Sequence, residues 1–200
     1  MNTKDRIMEA SYQLFLKKGL DNVSLNEIKK VADITSGGFY HYFESKEELI
    51  AAVERNYILK HYSDAVAAIK KTEGNFVEKI RMMVAYTIGF DPDYKEVKDS
   101  HNQVDRDIYF LYLDCVRRND KSSDVFINFN LEIIDIYTEM FDESRKNGEI
   151  KSDYGSRELA MFLTTMVNGI VYLAAILPNP DLKKLFEDNL NIVLDKITAK

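Results

Sequence analysis

Residues 35–43 read TSGGFYHYF, a short segment with an unusual composition for a helix. Phe39 and Phe43 stand four residues apart, the spacing that places two side chains on one helical face. Gly37 and Gly38 precede them, although a glycine in a helix interior costs roughly 1 kcal/mol relative to alanine. A helix that served only as scaffold would gain nothing from this pair. The segment therefore predicts a short helix whose backbone must come close to another molecule.

Two helices are predicted before this segment. The first, over residues 4–18, has apolar residues at helical spacing and ends at Gly19 after a pair of lysines. The second, over residues 25–32, begins at a capping box in which Ser24 and Glu27 satisfy each other's backbone amides. Together these two helices would support the one that follows.

A short turn separates the second helix from the glycine-containing one. Asp33 tolerates a left-handed or turn conformation better than most residues, and Thr35 can cap a third helix over residues 36–42. In the second helix we expect Ile28 and Val31 to face inward. Two helices joined by such a turn, with a supporting helix before them, form a helix-turn-helix unit. An ordinary helical hairpin has the same outline, so the composition of the third helix decides between the two.

The third helix carries groups that suit contact with duplex DNA. The missing side chains at its two glycines let the backbone approach base edges and phosphates. Hydroxyl and imidazole groups around them can donate hydrogen bonds to phosphate oxygens, which fixes the register without reading the sequence. These donors are Thr35, Ser36, Tyr40, His41 and Tyr42. Lys46, near the start of the next helix, would add a phosphate clamp.

The rest of the chain is predicted to be helical, which gives an all-α protein of about nine helices. Ser45 and Glu48 form a second capping box, which opens a connecting helix over residues 45–70. Further helices are expected over residues 75–90, 95–118, 122–147, 156–177 and 181–198. We expect a helix-turn-helix DNA-binding domain over residues 1–46 and a helical regulatory and dimerisation domain over residues 47–200.

The charge of the chain is unevenly distributed. The 27 Lys and Arg against 33 Asp and Glu give a net charge of −6. Residues 1–46 hold seven cationic and six anionic side chains, so the acidity belongs to the C-terminal part. A nearly neutral N-terminal part permits DNA binding without demonstrating it.

The sequence favours a cytoplasmic protein without a membrane anchor. Cys115 is the single cysteine, which excludes an intramolecular disulfide and fits a reducing compartment. The first residues carry charges throughout and lack the apolar core of a secretion signal. Residues 160–177 contain no charge, and 18 residues are at the lower limit for a bilayer span. Polar residues inside this stretch favour a fully buried helix instead.

No pattern of catalytic or metal-binding residues stands out. His41, His61 and His101 are scattered, and none has the spacing of a metal site with another His or Cys. No phosphate-binding glycine loop, nucleophile elbow or dinucleotide fingerprint is present. We therefore expect no enzyme and no cofactor, with a small helical enzyme and a helical interaction module as the competing classes. Cys115 is expected to be a small buried hydrophobe, with a redox sensor as the alternative.

Several spaced motifs in residues 6–53 resemble the N-terminal domain of the TetR (tetracycline repressor) family. The matching positions are Arg6-Ile7-Met8-Glu9-Ala10, Leu14-Phe15, Gly19, Ser24 with Glu27-Ile28, Tyr40-His41-Tyr42-Phe43 and Ser45-Lys46-Glu47-Glu48-Leu49. A weaker similarity follows at Gly148-Glu149-Ile150 and over residues 160–171. The chain departs from the family in its turn, where Asp33-Ile34 replaces the usual Gly-Val.

The resemblance implies a homodimer in which each subunit places residues 36–42 in a major groove of operator DNA. The residues implied to face bases are Ser36, Gly37 and Gly38. The residues implied to lie near phosphates are Ser24, Thr35, Tyr40, His41, Tyr42 and Lys46. We expect a sequence-specific transcriptional regulator, and more specifically a repressor that an unidentified small-molecule ligand releases from its operator.

In this family the last two helices of each subunit form the dimer interface. The corresponding candidates here are Met161, Thr164, Thr165, Asn168, Gly169 and Leu190. The helices between the two ends are rich in aromatic residues, most of which would pack in a core. Several tyrosines together can also line a ligand pocket with polar tips on apolar walls. The pocket candidates are Tyr86, His101, Tyr109, Tyr112, Phe129 and Tyr137.

Overall fold

The computed structural model describes residues 2–87, 106–118, 121–178 and 180–198. Within these ranges the chain forms helices and no strand, which confirms the all-α prediction. The helices are α1 Thr3–Lys18, α2 Leu25–Val31, α3 Ser36–Tyr40, α4 Lys46–Val53, α5 Lys60–Lys70, α6 Phe76–Thr87, α7 Arg106–Arg117, α8 Lys121–Lys146, α9 Ser156–Ile176 and α10 Leu182–Ile197. The predicted connecting helix is a continuous run in which a π-helical segment, Glu54–Leu59, joins α4 to α5. The break expected near residues 91–100 lies outside the described residues.

The start of α2 is fixed by the predicted capping box. The Ser24 hydroxyl accepts a hydrogen bond from the Glu27 amide at 3.2 Å, and the Glu27 carboxylate accepts one from the Ser24 amide at 2.9 Å. Lys18, in the last turn of α1, donates to the same carboxylate at 2.5 Å. The bond from Lys18 and then those from Ser24 lower the pKa of Glu27 from 4.5 to about 2. One side chain therefore caps α2 and links it to α1.

The turn between α2 and α3 uses the backbone conformation that the sequence predicts. Asp33 has a φ of +49°, in the left-handed region that non-glycine residues rarely adopt. The turn is closed by a hydrogen bond from the Ile34 amide to the Lys29 carbonyl at 3.0 Å. The buried face of α2 runs through Ile28 and Ala32, four residues apart, whereas Val31 is 57% exposed. The prediction that Val31 faces inward is therefore wrong, because its position on the helix places its side chain outside the buried face.

The first of two compact units comprises residues 1–62 and 107–127. Its apolar core contains Ile28, Phe39 and Phe43, so both rings of the glycine-containing segment anchor α3 as their spacing predicts. It also contains Leu111 and Cys115 of α7. The two compact units are defined by packing. The expected domain boundary at residue 46 separates functions instead, and it stays a prediction.

Helix α7 is tied to the turn between α1 and α2. Asp114 accepts a hydrogen bond from the Leu20 amide at 3.4 Å. Arg117 and Arg118 both pair with Asp21, at 3.2 and 3.4 Å. These contacts connect the last turn of α7 to the base of the helix-turn-helix segment.

The second unit comprises residues 63–106 and 128–200. Helix α9 presents Leu159, Leu163 and Val167 to its core, and Arg81 of α6 pairs with Glu187 of α10. The opposite face of α9 is exposed, so the prediction of a fully buried helix is wrong for the single chain. By length and composition α9 is apolar enough to cross a membrane, because both of its faces are largely apolar.

The left-handed turn residue provides a test of the fold. We expect Asp33→Ile to lower the free energy of unfolding by roughly 1–2 kcal/mol, because a β-branched side chain is strained at positive φ. Asp33→Gly is the matched control and should change it by less than about 0.5 kcal/mol, since glycine adopts this conformation without strain. Chemical denaturation of the three proteins measures the difference. Equal losses for isoleucine and glycine would contradict the assigned conformation.

The lowered pKa of Glu27 predicts a pH-dependent contribution to stability. A carboxyl whose pKa falls on folding stabilises the folded state above its unfolded value of 4.5, and this contribution is lost as the pH falls through about 2. Wild type should therefore unfold at a higher temperature than Glu27→Gln at pH 6, and the two should converge between pH 4.5 and 2. Thermal unfolding across this range tests the expectation, which a pH-independent difference would contradict.

Candidate nucleic-acid interface

Helix α3 is one turn and a half long and is capped as the sequence predicts. Thr35 accepts a hydrogen bond from the Gly38 amide at 3.1 Å. The helix ends at Tyr40, two residues earlier than expected, and His41 is its C-terminal cap. Phe39 is fully buried on the inner side. The cap, this ring and the ring of Phe43 hold α3 against the rest of the first unit.

The fold itself does not require glycine at positions 37 and 38. A Cβ added at Gly37 would meet only the Thr35 hydroxyl, at 4.0 Å. One added at Gly38 would lie 3.4 Å from the same hydroxyl and 3.7 Å from the Ile34 side chain, which is ordinary contact. Neither glycine has a positive φ. The absence of side chains here is explained by nothing inside the described part of the chain.

The polar residues predicted near DNA lie mostly on the outside of this segment. Ser36 and His41 are exposed, Tyr40 is 57% exposed, and Tyr42 is half-buried with its ring 4.8 Å from that of His41. Thr35 and Ser24 are exposed caps of their helices. Together they surround the two glycines with hydroxyl groups and one imidazole.

Two lysines adjoin the segment, and the structure gives each a partner. Lys29 donates to the Ser36 hydroxyl at 2.9 Å, so it places a positive charge beside the start of α3. Lys46 donates to the Leu20 carbonyl at 2.8 Å and is partly buried. Its ammonium thus joins the first turn of α4 to the turn after α1. Sequence reasoning missed this bond because Lys46 and Leu20 are 26 residues apart.

The residues predicted to line a ligand pocket are divided between the two units. Tyr109 and Tyr112 belong to the first unit, where the Tyr112 ring lies 5.1 Å from that of Phe126. Tyr137 is fully buried in the core of the second unit, and its place in a pocket stays a prediction. Phe129 packs half-buried against that core. His101 lies outside the described residues.

Tyr86, another predicted residue, lies on the wall of a cavity within the second unit. This cavity of about 680 Å³ lies between α5 and α6. Its other lining residues are Asp64, Ala67, Ala68, Lys71, Thr72, Glu73 and Met82. The lining is more polar than the aromatic pocket that the sequence predicts.

The predicted dimer residues on α9 are accessible to a partner. Met161, Thr165, Asn168 and Gly169 are exposed, and Thr164 is half-buried. Leu190 is wrong as an interface residue, because it is 0% exposed in the core of its own subunit. Sequence reasoning missed further exposed apolar residues on the same helix, among them Phe162, Tyr172 and Ile176.

Cys115 is buried, as expected. Burial, followed by the nearby negative charge of Glu54, raises the pKa of its thiol. A redox sensor needs an accessible thiolate, which this position does not provide. Among the described residues no cluster of His, Cys, Asp or Glu has the arrangement of a metal site.

Comparison with known proteins places this geometry in one family. Residues 7–53 match the bacterial regulatory proteins of the tetR family, and residues 93–199 match the QacR-like protein, C-terminal region. The HTH-type transcriptional repressor NemR of Escherichia coli is 34% identical over 80 residues. That alignment spans 40% of this chain and 40% of the relative.

Solved structures share the fold over nearly the whole chain. The reduced form of Escherichia coli NemR has a TM-score of 0.67 at 19% identity and covers 100% of both chains. A regulator from Saccharomonospora viridis in complex with choline has a TM-score of 0.74 at 15% identity and covers 98% of both chains. The second family match alone covers more than half of the sequence. The chain therefore belongs to the TetR family, whose members are transcriptional regulators and not enzymes.

Proposed function

We propose that this chain is a dimeric, sequence-specific DNA-binding regulator of transcription that acts in the cytoplasm. The observation that carries the proposal is the adjacent pair Gly37 and Gly38, which lowers helix propensity without any requirement from the fold. A helix pressed into a major groove gains from this pair, because its backbone can approach base edges closely. Family membership supports the same conclusion independently.

The exposed side chains suggest how α3 would engage the duplex. Ser36, Gly37 and Gly38 at the start of the helix would face bases. Thr35 uses its oxygen to accept from the Gly38 amide, which leaves its hydroxyl proton to donate to a phosphate. Ser24, Tyr40, His41 and Tyr42 would make further phosphate contacts. Lys46 would act mainly by fixing the turn at Leu20, with its charge adding to the field.

Dimerisation would use the exposed face of α9. Met161, Phe162 and Tyr172 form an apolar surface there, interrupted by polar Thr165 and Asn168. A partner subunit accommodates such a mixture of apolar and polar groups, whereas lipid leaves the polar groups without partners. Two subunits would present two α3 helices to major grooves one helical turn, about 34–36 Å, apart.

Ligand control would follow the pattern of the family. A repressor leaves its operator when a small molecule binds better to a conformation in which the two α3 helices no longer match successive grooves. The C-terminal helices are the proposed location of that site, and Tyr86 on the cavity wall is one candidate contact.

A single substitution separates a DNA role of the glycines from a structural one. We expect Gly37→Ala to leave the free energy of unfolding unchanged or to raise it by about 0.5 kcal/mol, since alanine favours the helix. Affinity for the DNA upstream of the chain's own gene should fall by roughly tenfold, because the added methyl group separates the backbone from the groove. Asp142→Ala, an exposed change in α8, is the control and should not alter DNA binding.

Fluorescence anisotropy with this duplex and an unrelated one, over a range of salt concentrations, measures the effect. Unchanged operator affinity in Gly37→Ala would remove the main argument for the interface. A wild-type protein that ignores both duplexes at low salt would overturn the proposed function.

The dimer surface has its own test. Phe162→Glu places a charge on an exposed apolar residue of α9, so it should convert the protein to a monomer and weaken operator binding. Tyr154→Glu changes another exposed aromatic residue, before the start of α9, and should leave the dimer intact. Sedimentation velocity at low concentration measures the assembly. A dimeric Phe162→Glu, or a monomeric wild type, would contradict the proposed surface.

A further inference from the structure

Of the three residues that open α3, only the first has a side chain. Ser36 and Gly37 are exposed, and Gly38 is half-buried. The two glycines allow the backbone to approach bases closely, but they have no side chain that could distinguish one base pair from another. A sequence-specific regulator therefore needs a further group beside the start of α3.

Lys29 of α2 places such a group there. Its Nζ donates a hydrogen bond to Oγ of Ser36 at 2.9 Å, across the turn between the two helices. Neither side chain forms another hydrogen bond or an ion pair within the described part of the chain. Ser36 is exposed and Lys29 is half-buried, so the two polar groups stand together at the surface.

This hydrogen bond determines which groups the pair offers to another molecule. An ammonium has three N–H donors and no acceptor, so Lys29 keeps two donors after its bond to Ser36. Because Oγ of Ser36 accepts that bond, its hydroxyl proton points away from Lys29 and can donate elsewhere. A donor that approached the same Oγ would lie beside the positive charge of the ammonium, which is unfavourable. The pair therefore selects hydrogen-bond acceptors.

We infer that Lys29 and Ser36 together recognise a guanine in each half of the operator. Guanine presents two adjacent acceptors in the major groove, N7 and O6, which can accept from the ammonium and from the hydroxyl at the same time. Thymine offers one acceptor, adenine places a donor beside its acceptor, and cytosine offers a donor. The inference rests on the proposed DNA-binding function and names the base that is read and the α2 residue that reads it.

A phosphate contact is the competing role for Lys29. The bond to Ser36 favours the base instead, because it holds the ammonium beside the first of the residues that would face bases. The two roles have different consequences. A phosphate contact strengthens binding to every duplex, whereas a base contact changes the preference at one base pair. Lys30, the next residue of α2, is exposed and provides a control with the same charge.

The experiment first uses full-length wild type to select preferred duplexes from a library of random sequences. The selected half-site is then varied one base pair at a time. Single guanines are also replaced by 7-deazaguanine, which pairs normally but lacks the N7 acceptor. Fluorescence anisotropy over a range of salt concentrations measures the affinity of wild type, Lys29→Met, Lys29→Arg, Ser36→Ala and the control Lys30→Met. Thermal unfolding shows whether each variant is folded.

One guanine in each half-site should matter to wild type. Its replacement by adenine should lower the affinity by roughly tenfold, and 7-deazaguanine at the same position by roughly threefold or more. Lys29→Met should bind the guanine and adenine duplexes within about twofold of each other, and Ser36→Ala should keep part of the preference. Lys29→Arg should keep it in full, because a guanidinium also donates to N7 and O6. Lys30→Met should affect all duplexes alike.

Three results would overturn the assignment. They are a wild type that prefers guanine at no position, a Lys29→Met that keeps the preference, and a Lys29→Met that weakens binding to all duplexes alike, as loss of a phosphate contact would. The 7-deazaguanine measurement uses wild type alone, so it holds even if a variant fails to fold. A wild type that binds selected duplexes without a guanine preference would reject this assignment alone. A wild type that binds no duplex would reject the proposed function.

Discussion

A helix of five residues has too few internal hydrogen bonds to persist alone, so the candidate interface depends on how α3 is held. Phe39 and Phe43 hold it from within the first unit, and Thr35 satisfies an amide at its start. These three residues hold the helix from its inner side and at its start. The positions on the outer side of the helix, Gly37 and Gly38, therefore need no side chain for packing, and the segment tolerates two adjacent glycines there.

A second constraint acts on the turn between α1 and α2. Both backbone groups of Leu20 are held by side chains, its amide by Asp114 of α7 and its carbonyl by Lys46 of α4. Leu20 is thus hydrogen-bonded to two helices, one of which, α7, is 94 residues away in sequence. Helix α7 falls outside the N-terminal family match at residues 7–53, yet it packs within the same compact unit. The unit that would bind DNA is therefore partly built from a later part of the chain.

The sequence allowed the local features of this unit to be predicted well. The box of Ser24 and Glu27, the cap at Thr35 and the turn at Asp33 each depend on residues within five positions of one another. Periodicity was less decisive where two apolar residues adjoin. Ala32 is buried in the core and Val31 is exposed, although the sequence pattern alone favours burial of the larger side chain. Which side chains face the core depends on the surface that the helix packs against. The sequence of the helix alone does not specify that surface.

The C-terminal part was harder to predict for a related reason. Helix α9 is apolar on its core face and on its exposed face, so composition cannot separate core residues from surface ones. Leu190 was therefore assigned to an interface although its own subunit buries it, and exposed Phe162 was overlooked. The sequence also could not predict the hydrogen bond from Lys46 to Leu20 or the burial of Glu54 beside Cys115. Both depend on tertiary contacts between distant residues.

Three residues or pairs break local rules of folding, and the structure separates them into two kinds. Asp33 adopts a strained conformation, but the turn requires a positive φ there, so the fold explains it. Gly37 and Gly38 weaken a helix without any requirement from the described chain, and Glu54 places a carboxylate in an apolar core with the weakly polar thiol of Cys115 beside it. Unfavourable features that the fold does not explain tend to mark functional sites. On this reasoning the fold supports the two glycines from within, through Phe39 and Phe43, and the proposed partner that accounts for them is a DNA duplex outside the chain.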